Sequence, residues 1–581
     1  MLSGIQQQED ISTEQNLQEM NSLETLLKRC NILSEKETFN DMVTRVIDSV
    51  IDEEKKYDVQ EKEIIDFKER MTKRLYGKQF VPSTTLLTNA GRYKDKPLAA
   101  CSVPPISLRD DLNKIKAIVD QYHINGMGTG FNFDECDNPV EMLNYLNEVA
   151  IKGQYSGKQD RPVGNMGIIS LNHPKIFEFI ESKTKSKDKE WIFNISVNVP
   201  NEFVKVLFNN SVYTLSDGSF VDPNELLEKI VNSAWECGDP GLAFLDRFET
   251  DNPAPHLGKY VSLAPCGEIA MTEGETCQFT YLNVGAFVDK NRISYSELRR
   301  AIHDVVRFLD DALDISISNY GNDTSVDIMN KKRKIGLGIC GFADMLAKLK
   351  IPYDSFDAEI IAEELMSFVN YTSKEASIEL SKERGPFPAF YDTETKIGKG
   401  YIADRFGKYS TAMVTVRDWI ELEETIAKTG IRHVSTTALP PTGRSSLVID
   451  ASPSIEPYFS DKLSTNMREV LYNQLEEYGY VKPAIEKILE LKDQGDPILI
   501  PEEIRNIYLS QLDISADRQL AIVSAFQKFT DEAISKTVNI NQYASPEDVK
   551  SIYVEAMKLG LKGITIYRDQ SKMHQPIGLK K

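Results

Sequence analysis

The stretch VSLAPCGEIAMTEGETCQFTYLNV (Val261–Val284) sets the reading of the whole chain. Its first four residues form an apolar run that reads as a strand. Pro265 then turns the chain and presents Cys266, with Glu268 two residues on. In an extended segment side chains at i and i+2 share a face, so thiol and carboxylate could address one ligand. Cys277 opens a second strand-like run, CQFTYLNV, after a return of eleven residues, which lets adjacent strands bring the two thiols close. A thiol gives up a hydrogen atom, or attacks as a thiolate when ionised. A carboxylate beside it moves protons. The same four residues also fit a buried cysteine packing as a small hydrophobe beside a surface glutamate.

Outward from this stretch, short apolar runs alternate with amphipathic segments. SVNV (Ser196–Val199), LAFLD (Leu242–Asp246), FTYLNV (Phe279–Val284) and the closing KGITIYRD read as strands. PNELLEKIVNSAWECG and YSELRRAIHDVVRFLDDALD read as helices, and 461–529 is helical throughout. Such alternation predicts an α/β fold with parallel pairing. Residues 1–20 read as a disordered polar tail. Residues 21–77 form a helical N-terminal region, in which Phe39, Met42, Val46 and Val50 fall on one face. Residues 78–575 read as one large α/β unit, since no Gly-, Pro- or Ser-rich linker divides them.

The 581 residues carry 68 Lys and Arg against 88 Asp and Glu, a net charge of −20. That balance excludes the basic footprint of a nucleic-acid-polymer binder. No apolar run is long enough for a bilayer, and the N-terminus lacks a signal-peptide pattern, so the expectation is a cytoplasmic protein with no membrane partner. Seven scattered cysteines, an odd number, do not make a secreted disulfide framework. There is no C-x-x-C and there are only six His, so no metal site is expected.

Three further segments could carry chemistry. Cys101 lies in PLAACSVPP, another strand-like run, and three thiols on strands could make one radical or nucleophilic centre and one redox pair. Three unrelated core cysteines fit the sequence as well. Thr442, Gly443, Arg444, Ser445 and Ser446 follow a Pro pair and open a helix, offering backbone N–H groups and a guanidinium to a phosphate. A plain helix cap has the same signature. GMGTG (Gly126–Gly130) is a Gly-rich loop without the Walker lysine or the full dinucleotide fingerprint.

Together these segments resemble the large catalytic subunit of ribonucleotide reductase, most like the adenosylcobalamin-dependent class II family. FVPSTTLLTNAG, ACSV, GMGTGFNF, HPKIFEFIESK, FNISVNV, GDPGLAFLDR, APCGE with Cys277, KIGLGICGFADMLAKLKIPYDS, LPPTGRSSLV, SIEPYF, FTDEAISKTVN and KGITIYRD stand in family order. The resemblance implies a ten-stranded α/β barrel of two half-sheets, with a central finger loop and a helical N-terminal region. It implies that Cys266 is the thiyl cysteine, Glu268 the proton-transferring carboxylate, and Cys101 with Cys277 the pair oxidised as substrate is reduced. Thr442 to Ser446, with Ser83 and Thr85, would hold the substrate phosphates. Asp110 and Gly128 lie where the family binds its effector.

The implied activity is thiyl-radical reduction of a ribonucleoside di- or triphosphate, with adenosylcobalamin generating the radical. The implied partners are an external thiol reductant and a dNTP effector, and the implied state is a homodimer or monomer. The class II choice rests on the KGITIYRD ending, the lack of a glycyl-radical motif, and the single Tyr567 where class I enzymes carry a tyrosine pair. The sequence also departs from the family. Ala264 replaces an Asn that helps hold the ribose hydroxyls, Arg444 a small hydroxyl residue, Ala100 a Ser and His433 an Asn. The stretch between GMGTGFNF and HPKIFEFI is shortened, and neither a C-terminal cysteine pair nor an ATP-cone signature is evident. A same-fold radical enzyme acting on another substrate, and an inactive nucleotide-binding homologue, therefore stay open.

Overall fold

The structure is a computed structural model describing residues 23–155, 163–459, 462–496 and 499–571. The polar tail expected over 1–20 lies outside these residues. Strands are labelled β1 Phe80–Pro82, β2 Cys101–Ser102, β3 Gly128–Asn132, β4 Asn165–Ser170, β5 Phe193–Asn198, β6 Gly241–Ala243, β7 Thr276–Cys277, β8 Phe279–Asn283, β9 Gly336–Cys340, β10 Thr537–Ile540 and β11 Gly563–Arg568.

The strands close a ring from two half-barrels. In the first half, β2, β3, β4, β5 and β6 pair in parallel in that order. In the second, β8 pairs in parallel with β9, β9 bridges segment 435–439, that segment bridges 534, and β10 pairs in parallel with β11. Parallel strands need crossover connections, which the helices between them supply. The halves meet antiparallel at two seams of two residue pairs each, β6 with β11 and β2 with β7. Only Gln278 separates β7 from β8, so one extended run joins the halves and completes ten strands. β1 pairs antiparallel with β8 on the edge opposite β9.

A hairpin, Ser262–Leu263 paired with Ala270–Met271, threads this ring. Its path is fixed along β3: Asn132 Nδ2 donates to Val261 O at 2.9 Å, Ser262 Oγ to Phe131 O at 3.2 Å, and Gly128 faces Pro265. Gly130 faces Leu263 so closely that a Cβ would overlap the Leu263 carbonyl oxygen. Glycine is required here for close approach rather than for a turn. Gly130→Ala is expected to push the hairpin out of register and to destabilise the fold by about 1–3 kcal/mol, the usual cost of overpacking. Urea unfolding checks this, and an unchanged midpoint would refute the packing argument.

The N-terminal region docks through α1 (Phe39–Ile51), capped by a Thr38–Asp41 box, and α2 (Glu61–Tyr76). Met42, Val46 and Val50 are fully buried and join the barrel's own core cluster. Just after α1, Glu54 pairs with Arg307 and Arg384, while Tyr57 bonds Asp314 and Arg432. Asp310 accepts from Arg333, Arg384, Arg432 and His433 in the same buried network. Burial pushes His433 down to about 4, so its imidazole is neutral near pH 7. Its Nε2 then donates to Asp310 and its Nδ1 accepts from Ser377 Oγ. The His433 departure therefore sits in this buried network, where it bonds Asp310.

Three local readings change. The SVNV strand begins earlier, at Phe193, and ends at Asn198. LAFLD is a strand only through Ala243, because Leu245–Thr250 is already helical. The helical 461–529 stretch breaks into Thr465–Glu477, Lys482–Asp493, Glu502–Arg505 and Ala516–Gln527, with Gly479, Gly495 and Pro501 falling in the gaps.

Candidate active site

The hairpin runs from the C-terminal end of β3 to its N-terminal end, where the second-half strands finish. There the chain turns through Cys266 and Gly267, the latter at φ +78°, a conformation glycine adopts without strain. Gly267 N–H donates to Ala264 O at 2.9 Å and Ala533 N–H to Glu268 O at 2.9 Å, tying the tip to the opposite half. Behind the tip, Lys334 donates to Ala270 O and pairs with Glu275 and Glu532, while Lys332 pairs with Glu275. Burial alone would raise the Glu275 carboxyl, but the two lysines hold it down to about 2.

Cys266 is exposed to a cavity of about 880 Å³ at the ends of the second-half strands. Its walls include Asn194, Ser196, Gly443, Arg444, Glu456, Gln511, Lys536, Asn539 and Tyr567, with Cys30 from the N-terminal region. Glu268 lies beneath, fully buried, and accepts from the Cys266 backbone N–H. Burial raises its carboxyl to about 7, and Oε2 has no hydrogen-bond partner among the described residues.

Cys101 and Cys277 are register partners across the β2–β7 seam, both as free thiols. Directly opposed antiparallel residues have Cα atoms about 4.5–5.5 Å apart, inside the roughly 7 Å limit for a disulfide. Burial pushes the Cys277 thiol well up, as do its hydrogen bond to Cys101 and the nearby Glu268 carboxylate. Glu268 thus stands between the backbone of one thiol residue and the side chain of another. Cys101 is also a neighbour of the hairpin, since a Cβ on Gly128 would meet both Cys101 Sγ and Pro265.

The 442–446 turn enters α3 (Gly443–Val448) with Thr442 at φ +56° and Gly443 at φ +27°. Thr442 Oγ1 accepts from Ser454 N–H and Ser446 Oγ donates to Gly443 O, so these hydroxyls serve the turn. Arg444 is exposed to the cavity and makes no ion pair among the described residues. Thr84 Oγ1 contacts Ser445 Oγ at 3.3 Å, which ties the turn to the Thr84–Asn89 helix. Ser83 caps that helix and Thr85 Oγ1 is buried with no partner among the described residues, but neither residue reaches the cavity wall.

The two effector candidates lie in unlike surroundings. Gly128 belongs to β3, buried beneath Pro265, and no open loop exists there. Asp110 precedes the Leu112–Ile124 helix and pairs with Lys114 at 3.0 Å. Sequence reasoning missed Asn194, the one exposed residue in the middle of an otherwise covered strand segment, and the close approach of Gly130 to the hairpin. A polar residue at an inward position of FNISVNV was the available signal for the first.

Residues 99–567 match the family described as ribonucleotide reductase, barrel domain. The chain is 33% identical to the vitamin B12-dependent ribonucleoside-diphosphate reductase of Thermoplasma acidophilum, over 85% of this chain and 64% of that protein. It is 30% identical to the enzyme of the same name from Mycobacterium tuberculosis, over 87% of this chain and 72% of the relative. The fold matches the Actinobacillus ureae class Id ribonucleotide reductase alpha subunit with a TM-score of 0.73 at 18% identity, covering 94% and 97% of the two chains. A cysteine-tipped hairpin inside a ring of two antiparallel half-barrels, together with a family match across that whole ring, means that this chain belongs to the ribonucleotide reductase barrel-domain family.

Proposed function

We propose that the chain reduces a ribonucleoside diphosphate, the substrate class in the names of the Thermoplasma and Mycobacterium relatives, to its 2′-deoxy form. The supporting observation is the grouping of three thiols and one carboxyl at a single seam: Cys266 over the cavity, Glu268 bonded to its backbone, and Cys101 opposite Cys277 within reach of Glu268. In this reading the Cys266 thiyl takes the 3′ hydrogen from the sugar and later returns it. Glu268 accepts the 3′-OH proton, for which a carboxyl near 7 is well matched to neutral solution. The 2′-oxygen leaves as water. Cys101 and Cys277 together give two electrons and two protons and become a disulfide, which an external thiol reductant reopens. Arg444, whose side chain opens on the cavity, receives the phosphates.

The radical itself calls for a cofactor, and the vitamin B12 dependence in these relatives' names implies adenosylcobalamin. The residues present fit such a group. Gln511 belongs to the cavity wall and its Oε1 is buried with no partner among the described residues, an acceptor that an amide N–H would satisfy. Gln511 and Asn539 would hold the amide-fringed corrin, and the bound group would supply the radical that oxidises Cys266.

The test is anaerobic incubation of the full chain with adenosylcobalamin, a small dithiol and ribonucleoside di- or triphosphates, with products separated by chromatography. Deoxynucleotide formation supports the reading. Cofactor binding without product would favour the same chemistry on a different substrate, which Ala264 and Arg444 motivate.

A single turnover without reductant is expected to leave Cys101 and Cys277 joined. Peptide mapping after alkylation reads this directly, and deoxynucleotide formed with both thiols still free would remove the pair from the reaction.

A further inference from the structure

We infer that Asn194 reads the 2′-hydroxyl of the sugar and so distinguishes substrate from product; this rests on the ribonucleotide reading above. In β5 the side chains of Phe193, Ile195 and Val197 are buried, while Asn194 opens on the cavity that holds Cys266. Its amide is held by the hairpin: Nδ2 donates to Pro265 O at 3.0 Å, one residue before Cys266. Because a carbonyl oxygen only accepts, the atom facing Pro265 must be the NH2 group, which fixes the orientation of the carboxamide. Oδ1 is left as an acceptor with no partner among the described residues.

The two residues that flank Cys266 at i−2 and i+2 are unsuited to this task. Ala264 is fully buried and carries only a methyl. Glu268 sits under the tip and is committed to the Cys266 N–H, with the 3′-hydroxyl as its proton partner in the proposed reaction. Asn194 therefore supplies a neutral acceptor fixed in register with the Cys266 residue. A vicinal hydroxyl on a sugar placed over that thiol is the donor it matches. Removing that hydroxyl in the reaction removes the bond, so product is held less tightly than substrate.

The experiment is calorimetric binding of a ribonucleoside diphosphate and its 2′-deoxy counterpart to the reduced full chain without cofactor. The wild type is expected to favour the ribonucleotide about tenfold, the worth of one good hydrogen bond. Asn194→Ala is expected to lose that preference while binding the deoxynucleotide within about twofold of wild type. Asn194→Ser, whose shorter side chain stops short of the sugar, gives the same collapse should the alanine chain fail to fold. Equal weakening of both ligands would assign Asn194 a structural role and overturn the inference, as would an undiminished preference. Failure of the wild type to bind either nucleotide would instead overturn the ribonucleotide reading on which it rests.

Discussion

A Cys266→Ser chain is expected to fold, to bind nucleotide and to form no measurable deoxynucleotide. The side chain stands at the exposed tip of the hairpin, and the turn is held by backbone bonds and by Gly267, so the exchange of sulfur for oxygen disturbs no packing. A serine O–H bond is too strong for the side chain to exchange a hydrogen atom with a sugar carbon reversibly. The expected loss is at least about a thousandfold, roughly 4 kcal/mol of barrier. Steady-state product formation checks it, with unchanged urea unfolding as the control for the fold. Multiple turnovers by the variant would exclude Cys266 from hydrogen transfer.

The second large effect belongs to Glu268. Burial raises its carboxyl from 4.5 to about 7. As proton acceptor it works only when ionised, so the wild-type rate is expected to fall as the pH drops through about 7, and Glu268→Gln to lose most activity at every pH. Stability moves the other way. A carboxyl raised in the native state contributes fully below its unfolded value of 4.5, and that contribution is lost as pH rises through about 7. A gap of this size corresponds to about 3 kcal/mol. Glutamine never ionises, so the variant is expected to be more stable than wild type at about pH 8 and equal to it near pH 4.5. Urea midpoints at the two pH values decide this, and a difference that does not change with pH would mean that Glu268 ionises normally in the folded chain.

The order of motifs was enough to read the barrel, because each parallel strand is a short apolar run ending in a turn. Where an apolar run crosses from strand to helix, periodicity fails: Phe244 and Leu245 continue the hydrophobicity of β6 but start the next helix. Segment 435–439 is joined to its neighbours by isolated bridges, and its polar HVSTTAL gives no strand signal. Cys266, Glu268, Cys101 and Cys277 stood out along the chain because their chemistry is rare and their motifs are local, and the structure brings them to one seam. Gly128 and Gly130 were misjudged as part of a loop, since their meaning depends on a hairpin more than 130 residues later that packs across them. Asn194 is equally invisible along the chain, for its partner carbonyl belongs to Pro265.

The seam at β2 and β7 has a topological consequence. Cys101 and Cys277 are 176 positions apart, and everything between them is the first half-barrel and the hairpin. A bond between their sulfurs would turn that entire portion into one covalent hoop, leaving the other half as two tails. Ring closure of this length limits the unfolded chain and is worth up to about 5 kcal/mol. The oxidised chain should therefore unfold later than the reduced one. A protease cut anywhere between the two cysteines should leave it in one piece until a thiol opens the clasp.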